Sequence, residues 1–232
     1  MRDEPRSDGG GDSTPFEVPA PPAEIPGAPR LDVVPAGRSL RRVHGAFDAD
    51  AFNPTAQPTR LEGGRFDSLN GSYTYMYLGY DDEGAIAEIV ARDLPLDGSA
   101  RLVPRKRISG RRITTVEVVR DLEMLVLHGP ALSQVGAGLW LTKSEADQYV
   151  RTRAWAAWLL GELPGIDGFV YRCRHDEDRL ALVLFDETPG GGAARAAGAL
   201  RAHPDSAPID SGDGLLEVER VLADHNAALE PL

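Results

Sequence analysis

Cysteine is almost absent from this chain: Cys173 stands alone among 232 residues. One thiol cannot close an intrachain disulfide or build a multi-cysteine metal site, so disulfide scaffolds and zinc ribbons are excluded and a reducing, cytoplasmic setting is expected. Long apolar runs are lacking too. The longest, residues 154–160, falls well below the ~18 residues a membrane-spanning helix requires. The opening stretch, MRDEPRSDGGGDSTP, has neither the basic start nor the apolar middle of a secretory signal. Positive charge is in deficit, with 25 Lys and Arg against 36 Asp and Glu. A net charge of −11 repels phosphate backbones and anionic lipid, so neither nucleic acid nor membrane is an expected partner. Walker, HExxH and GxSxG motifs are missing, which removes P-loop, zincin and common serine-hydrolase chemistry.

What the sequence does have is a 42% hydrophobic fraction, enough for a sizeable core, and a basic complement that is nearly all arginine. The only lysines are Lys106 and Lys143. Arginine's planar fork suits bidentate contacts to phosphate or carboxylate, which points towards anionic ligands.

Residues 1–30, rich in Pro, Gly and acid, read as a disordered tail. Residues 31–232 read as a single domain whose motifs lie within 38–187, with a flexible Gly/Ala-rich segment at 188–213. Residues 40–44 and 72–80 (SYTYMYLGY) read as strands. Asp81 and Asp82 occupy an N-cap position ahead of Ala85, Ile86, Ile89, Val90 and Leu94 at helical spacing. Two further strands, at 113–119 and 124–127, flank an Arg120-Asp121 turn, and a short helix follows at 131–135. A long helix is expected over 144–163, capped by Ser144 and stopped by Pro164-Gly165. Residues 168–174 and 180–185 form an expected hairpin, and residues 215–229 supply a short strand and a terminal helix. The class is α+β, a mixed sheet with flanking helices.

Glu88 conflicts with its surroundings. At ~100° per residue it lies beside Ala85 and Ile89 on the inward face. A buried carboxylate is costly unless paired, so Arg42, Arg60 or Arg65 is expected near it, either as a structural ion pair or as part of a site. Tyr73, Tyr75 and Tyr77 on the preceding strand could supply a stacking platform, although such stripes more often serve as core. Cys173 and His175 fall on one strand face and would be a thiolate pair only in a cysteine-dependent hydrolase. The run His175-Asp176-Glu177-Asp178 is better explained as a solvated turn than as a metal site, and no metal is expected.

The order of these features carries a resemblance. Arg42-Val43-His44, Gly64-Arg65-Phe66, Tyr77-Leu78-Gly79, Ala85-Ile86-Ala87-Glu88, and Asp167 through Arg174 (DGFVYRCR) followed by Leu184-Phe185 together resemble the RES domain family over about residues 38–187. The resemblance implies a compact relative of the ADP-ribosyltransferase fold that uses NAD+ as substrate. It also implies a toxin whose partner is an antitoxin with a DNA-binding region.

Carried onto this chain, the family arginine falls on Arg42, with Arg41 the other choice, and the glutamate on Glu88; these would be catalytic. Arg65 and Tyr77 match two further pocket positions. The family serine falls on Cys173, a departure, because a thiol is the weaker hydrogen-bond partner. The implied reaction cleaves the nicotinamide–ribose bond by hydrolysis or phosphorolysis, with Glu88 stabilising positive charge on the ribose. Arg42 and Arg65 would hold the pyrophosphate, Tyr77 would orient the nicotinamide, and Cys173 would line the pocket. The alternatives are ADP-ribosylation of a protein target and a degenerate domain that binds a nucleotide or a partner without turnover.

Overall fold

Alternating and β-branched runs build most of the sheet in the computed structural model, which describes residues 17–45, 47–59, 63–95, 99–187, 196 and 198–231. In chain order the elements are β1 (Leu31–Val34), β2 (Ser39–His44), β3 (Tyr73–Gly79), α1 (Asp82–Ile89), β4 (Leu102–Val103), β5 (Arg112–Val118) and β6 (Leu122–Val126). There follow α2 (Ala131–Gln134), α3 (Trp140–Lys143), α4 (Tyr149–Glu162), β7 (Gly168–Arg172), β8 (Leu180–Glu187), β9 (Leu200–Pro208), α5 (Gly212–Asp224) and β10 (Ala228–Leu229). The class is α+β, as the sequence implies. Eight strands run in the order β1-β6-β7-β8-β3-β2-β5-β9, and only β6 and β7 pair in parallel. A second, two-stranded sheet pairs β10 with β4. Among the described residues no helix is long and apolar enough to cross a membrane.

The central strand β8 is buried on both faces, because its alternate residues enter two different cores. Ala181, Val183 and Phe185 join Tyr73, Tyr75, Phe169, Tyr171 and the α4 residues Trp155 and Leu159. Leu182 and Leu184 join Met76 and Leu78 of β3 on the other face. Phe66, Phe169 and Phe185 meet in edge-to-face contacts at 4.8–5.5 Å, and burying each ring contributes roughly 2 kcal/mol. A third core joins α1 to α5 through Ile86, Val90, Val218 and Leu222.

Four expectations are corrected. The proposed tail is partly packed: Val18 is fully buried, its amide is bonded to Gln148 Oε1 at 3.1 Å, and Trp155 Nε1 donates to the Pro19 carbonyl at 2.7 Å. Apolar anchoring of so short a piece escapes composition; residues 1–16 lie outside the described residues. The long helix starts at Tyr149, since Ser144 ends α3 by donating to the Trp140 carbonyl; a 3-10 turn at Ala146–Gln148 precedes the buried stripe Tyr149, Thr152, Arg153, Ala156 and Leu159. The segment taken as flexible at 188–213 contains β9, an edge strand pairing with β5 through a register shift between Thr114 and Val116. Edge strands tolerate proline, so Pro204 and Pro208 do not break it; residues 188–195 and 197 lie outside the described residues. At the C-terminus the helix precedes the strand, because Val218, Val221 and Leu222 of α5 are buried at helical spacing.

Candidate functional site

The turn from β3 into α1 sets the site. The Asp81 carboxylate accepts from the Gly84 amide at 2.7 Å, forming the expected N-cap. Gly79 is required there, because a Cβ would lie 2.4 Å from the Ala85 nitrogen. The tight turn drives α1 inward, so Gly84 to Glu88 are all buried, Glu88 at 3% exposure.

The partner of Glu88 is Arg65. Its Nη2 bonds Glu88 Oε1, and Tyr171 donates its hydroxyl to the same oxygen at 3.0 Å. The Arg65 guanidinium also lies 5.5 Å from the centre of the Tyr171 ring, a cation–π contact. Burial alone would depress Arg65, but Glu88 outweighs it and holds the guanidinium above its ordinary range. Burial and then Glu88 raise the Tyr171 phenol well above its usual value, so it stays a donor. Glu88 Oε2 and Arg65 Nε and Nη1 have no hydrogen-bond partner among the described residues.

Arg65 is aimed by a stapled loop. Asp67 accepts from the Gly64 amide and from the Tyr77 hydroxyl, both at 2.7 Å, and Tyr77 in turn accepts from the Phe66 amide at 2.9 Å. From α4, Thr152 donates to the Arg65 carbonyl at 2.7 Å and Arg153 Nε to the Gly64 carbonyl at 2.9 Å. Sequence reasoning missed Asp67, Thr152 and Tyr171. The visible signal was Arg153, an arginine inside the apolar stripe of α4. Arg60 lies outside the described residues.

Arg42 does not approach the carboxylate through any hydrogen bond. Its Nη1 reaches the carbonyls of Asp48, Ala49 and Ala51 at 3.3, 2.8 and 2.7 Å, tying down the loop after β2, and burial lowers it to about 10 against the pull of Asp50. Arg41 turns to Asp82 and Thr115 instead. Arg42 and Tyr77 both line a cleft of about 530 Å³, together with His44, Tyr75, Lys106 and Arg111. No acidic side chain lines it among the described residues. A gap too small to admit water, bounded by Glu88, shares Val43, Tyr77 and Ile89 with the cleft. The carboxylate thus sits one layer of side chains behind the cleft wall.

Cys173 does not line that cleft. It is fully buried, with its sulfur 3.7 Å from the Gly84 carbonyl. Burial and then Glu88 push the thiol up, so it remains protonated. The neighbouring His175 contacts the Arg92 carbonyl at 3.2 Å and is lowered to about 4 by burial and then Arg174. A thiol held protonated in this way is a poor nucleophile. What the arrangement can do is present a buried carboxylate, paired with an arginine, behind a basic, tyrosine-lined cleft, the form of site that stabilises positive charge developing on a bound anionic ligand.

A family model described as the RES domain matches residues 39–206. Among solved structures, the crystal structure of the M. tuberculosis MbcT-MbcA toxin-antitoxin complex aligns with a TM-score of 0.48 at 19% identity, covering 75% of this chain and 85% of that one. No curated protein matches.

Proposed function

This chain belongs to the RES domain family, and from that membership we propose that it is an enzyme that cleaves the nicotinamide–ribose bond of NAD+ and depletes the dinucleotide in the cell. The observation that carries the reading is Glu88, a buried carboxylate held by Arg65 and Tyr171 behind a cleft with no acidic lining. Loss of neutral nicotinamide leaves positive charge on the ribose, and a preorganised carboxylate lowers the energy of that charge in a water-poor site. Because both donors grip Oε1, Oε2 is left to meet the ribose cation. Tyr75 and Tyr77 line the cleft where the nicotinamide would be oriented. Arg42 shapes the cleft wall through the loop carbonyls it binds. Cys173 supports α1 from beneath through Gly84 rather than touching substrate.

Nicotinamide departs without needing a proton, so no general acid is assigned. The acceptor is water or phosphate, giving hydrolysis or phosphorolysis; transfer to a protein side chain would give ADP-ribosylation. As a family toxin, the chain would act inside the cell and be held by a cognate antitoxin carrying a DNA-binding region. One observation favours a second reading, a binding domain without turnover: the wall of Val43, Tyr77 and Ile89 stands between Glu88 and the cleft.

The test is nicotinamide release from NAD+ by the purified chain, with and without phosphate, beside Glu88→Gln. Release that depends on Glu88 supports the enzyme, and a phosphate requirement names the acceptor. Folded protein, freed of any partner, that releases none leaves the binding domain as the better account.

A further inference from the structure

In this structure the two arginines that the family motifs would assign to the pyrophosphate are engaged elsewhere, Arg65 on Glu88 and Arg42 on loop carbonyls. An unassigned source of positive charge lies across the same cleft, in residues 105–112, RKRISGRR. Of its five cations, three have partners outside the cleft. Arg105 donates to the Glu230 carbonyl at 2.8 Å, Arg107 pairs with Asp93, and Arg112 Nε donates to Ser206 Oγ at 2.8 Å. The remaining two, Lys106 and Arg111, are the ones that line the cleft. Neither reaches a carboxylate among the described residues, although the chain as a whole has more acids than bases.

The segment that carries them is fixed. A 3-10 turn at Arg105–Arg107 is followed by Ile108, which is 1% exposed and buried in the α1–α5 core. Gly110 takes a left-handed φ of 66°, which favours glycine, and its amide is bonded to Asp210 Oδ2 at 2.7 Å. The Arg111 amide closes the turn on the Ile108 carbonyl at 2.9 Å. Two cations without counter-ions among the described residues are thereby held on a pinned loop rather than left to drift in solvent.

We propose that Lys106 and Arg111 form the cradle for a diphosphate in this cleft, binding the bridging anion of the dinucleotide. The inference rests on the proposed function for the ligand's identity as a dinucleotide diphosphate; the two cleft-lining cations, neither of which reaches a carboxylate among the described residues, supply the anion-binding chemistry. Like-charge neighbours agree with this: burial, and then Arg92, lowers Arg111, and an anion between the two cations would relieve both costs.

The experiment is titration calorimetry with ADP and with adenosine, which lacks phosphates, on the wild-type chain, on Lys106→Ala/Arg111→Ala and on Arg112→Ala. Wild type is expected to bind ADP more tightly than adenosine, with affinity falling as salt rises. Each cation removed should weaken ADP binding about tenfold, and both together roughly 100-fold, as for charge-assisted bonds. Arg112→Ala removes the same charge from a side chain that does not line the cleft and is engaged by Ser206, and should leave binding within about twofold, because an exposed charge turned away from the ligand is screened. Undiminished ADP binding by the double variant, or an equal loss in Arg112→Ala, overturns the cradle. Nicotinamide release is scored separately. A chain that binds ADP through Lys106 and Arg111 but releases no nicotinamide keeps the cradle and loses the enzyme.

Discussion

The floor of the site and its rim handle charge in opposite ways. On the floor, Glu88 and Arg65 are withdrawn from water and gripped by each other, by Tyr171 and by a stapled loop. On the rim, Lys106 is exposed and Arg111 half-buried, and neither reaches a carboxylate among the described residues, while the backbone beneath them is pinned. The floor is where fold stability and the chemistry depend on the same atoms. The rim is where ligand affinity can be altered with little cost to the fold.

The largest expected effect breaks the floor without disturbing the rim. Glu88→Gln keeps shape and removes charge, and nicotinamide release should fall by about 1,000-fold, the scale seen when a transition-state charge loses its partner, with ADP binding retained by calorimetry. Next in size, Arg65→Met leaves Glu88 buried and unpaired and should destabilise the chain by about 3 kcal/mol in chemical denaturation. Pairing it with Glu88→Gln should recover part of that loss; additive losses would show that the ion pair does not couple the two residues.

Tyr171→Phe sharpens the contrast, since it removes one hydrogen bond from the floor and nothing else. The kcat for nicotinamide release should drop about tenfold with KM unchanged; a change confined to KM would place Tyr171 with the ligand instead.

The smallest effect concerns His175, behind the basic side. Its folded-state value of about 4 lies below the ordinary histidine value of 6.5, so the unfolded chain binds the extra proton first. Stability should therefore decline as pH falls from about 6.5 to about 4 and level off below. Replacing His175 with Asn should flatten that part of the denaturation profile.

The parts of this site that were legible in sequence are those where a local pattern was violated. Glu88 stood out because a carboxylate fell on an apolar helical face, and its partner was correctly sought among arginines. Tyr171 did not stand out, since a tyrosine in a buried strand violates nothing; only the tertiary approach of Glu88 gives its hydroxyl a task. The basic run at 105–112 violates no local pattern, and which of its cations are structural depends on tertiary contacts with Glu230, Asp93 and Ser206. In the fold, strands with alternating or aromatic residues were readable, whereas β9 was hidden because its pairing with β5, and not its Pro-bearing composition, makes it a strand. The start of α4 was misjudged because a serine that caps well in isolation instead closed the helix before it.

The pin under Gly110 comes from Asp210, and β4 is completed by β10, the pair Ala228–Leu229 against Leu102–Val103. Translation delivers the chain from its N-terminus, so a ribosome-bound intermediate would already carry β3, α1 and Glu88 while the rim loop still lacks its anchors. Ligand affinity would then be acquired only after Asp210 and β10 have been made, and a chain stopped before Asp210 would have the carboxylate without a fixed cradle for its substrate.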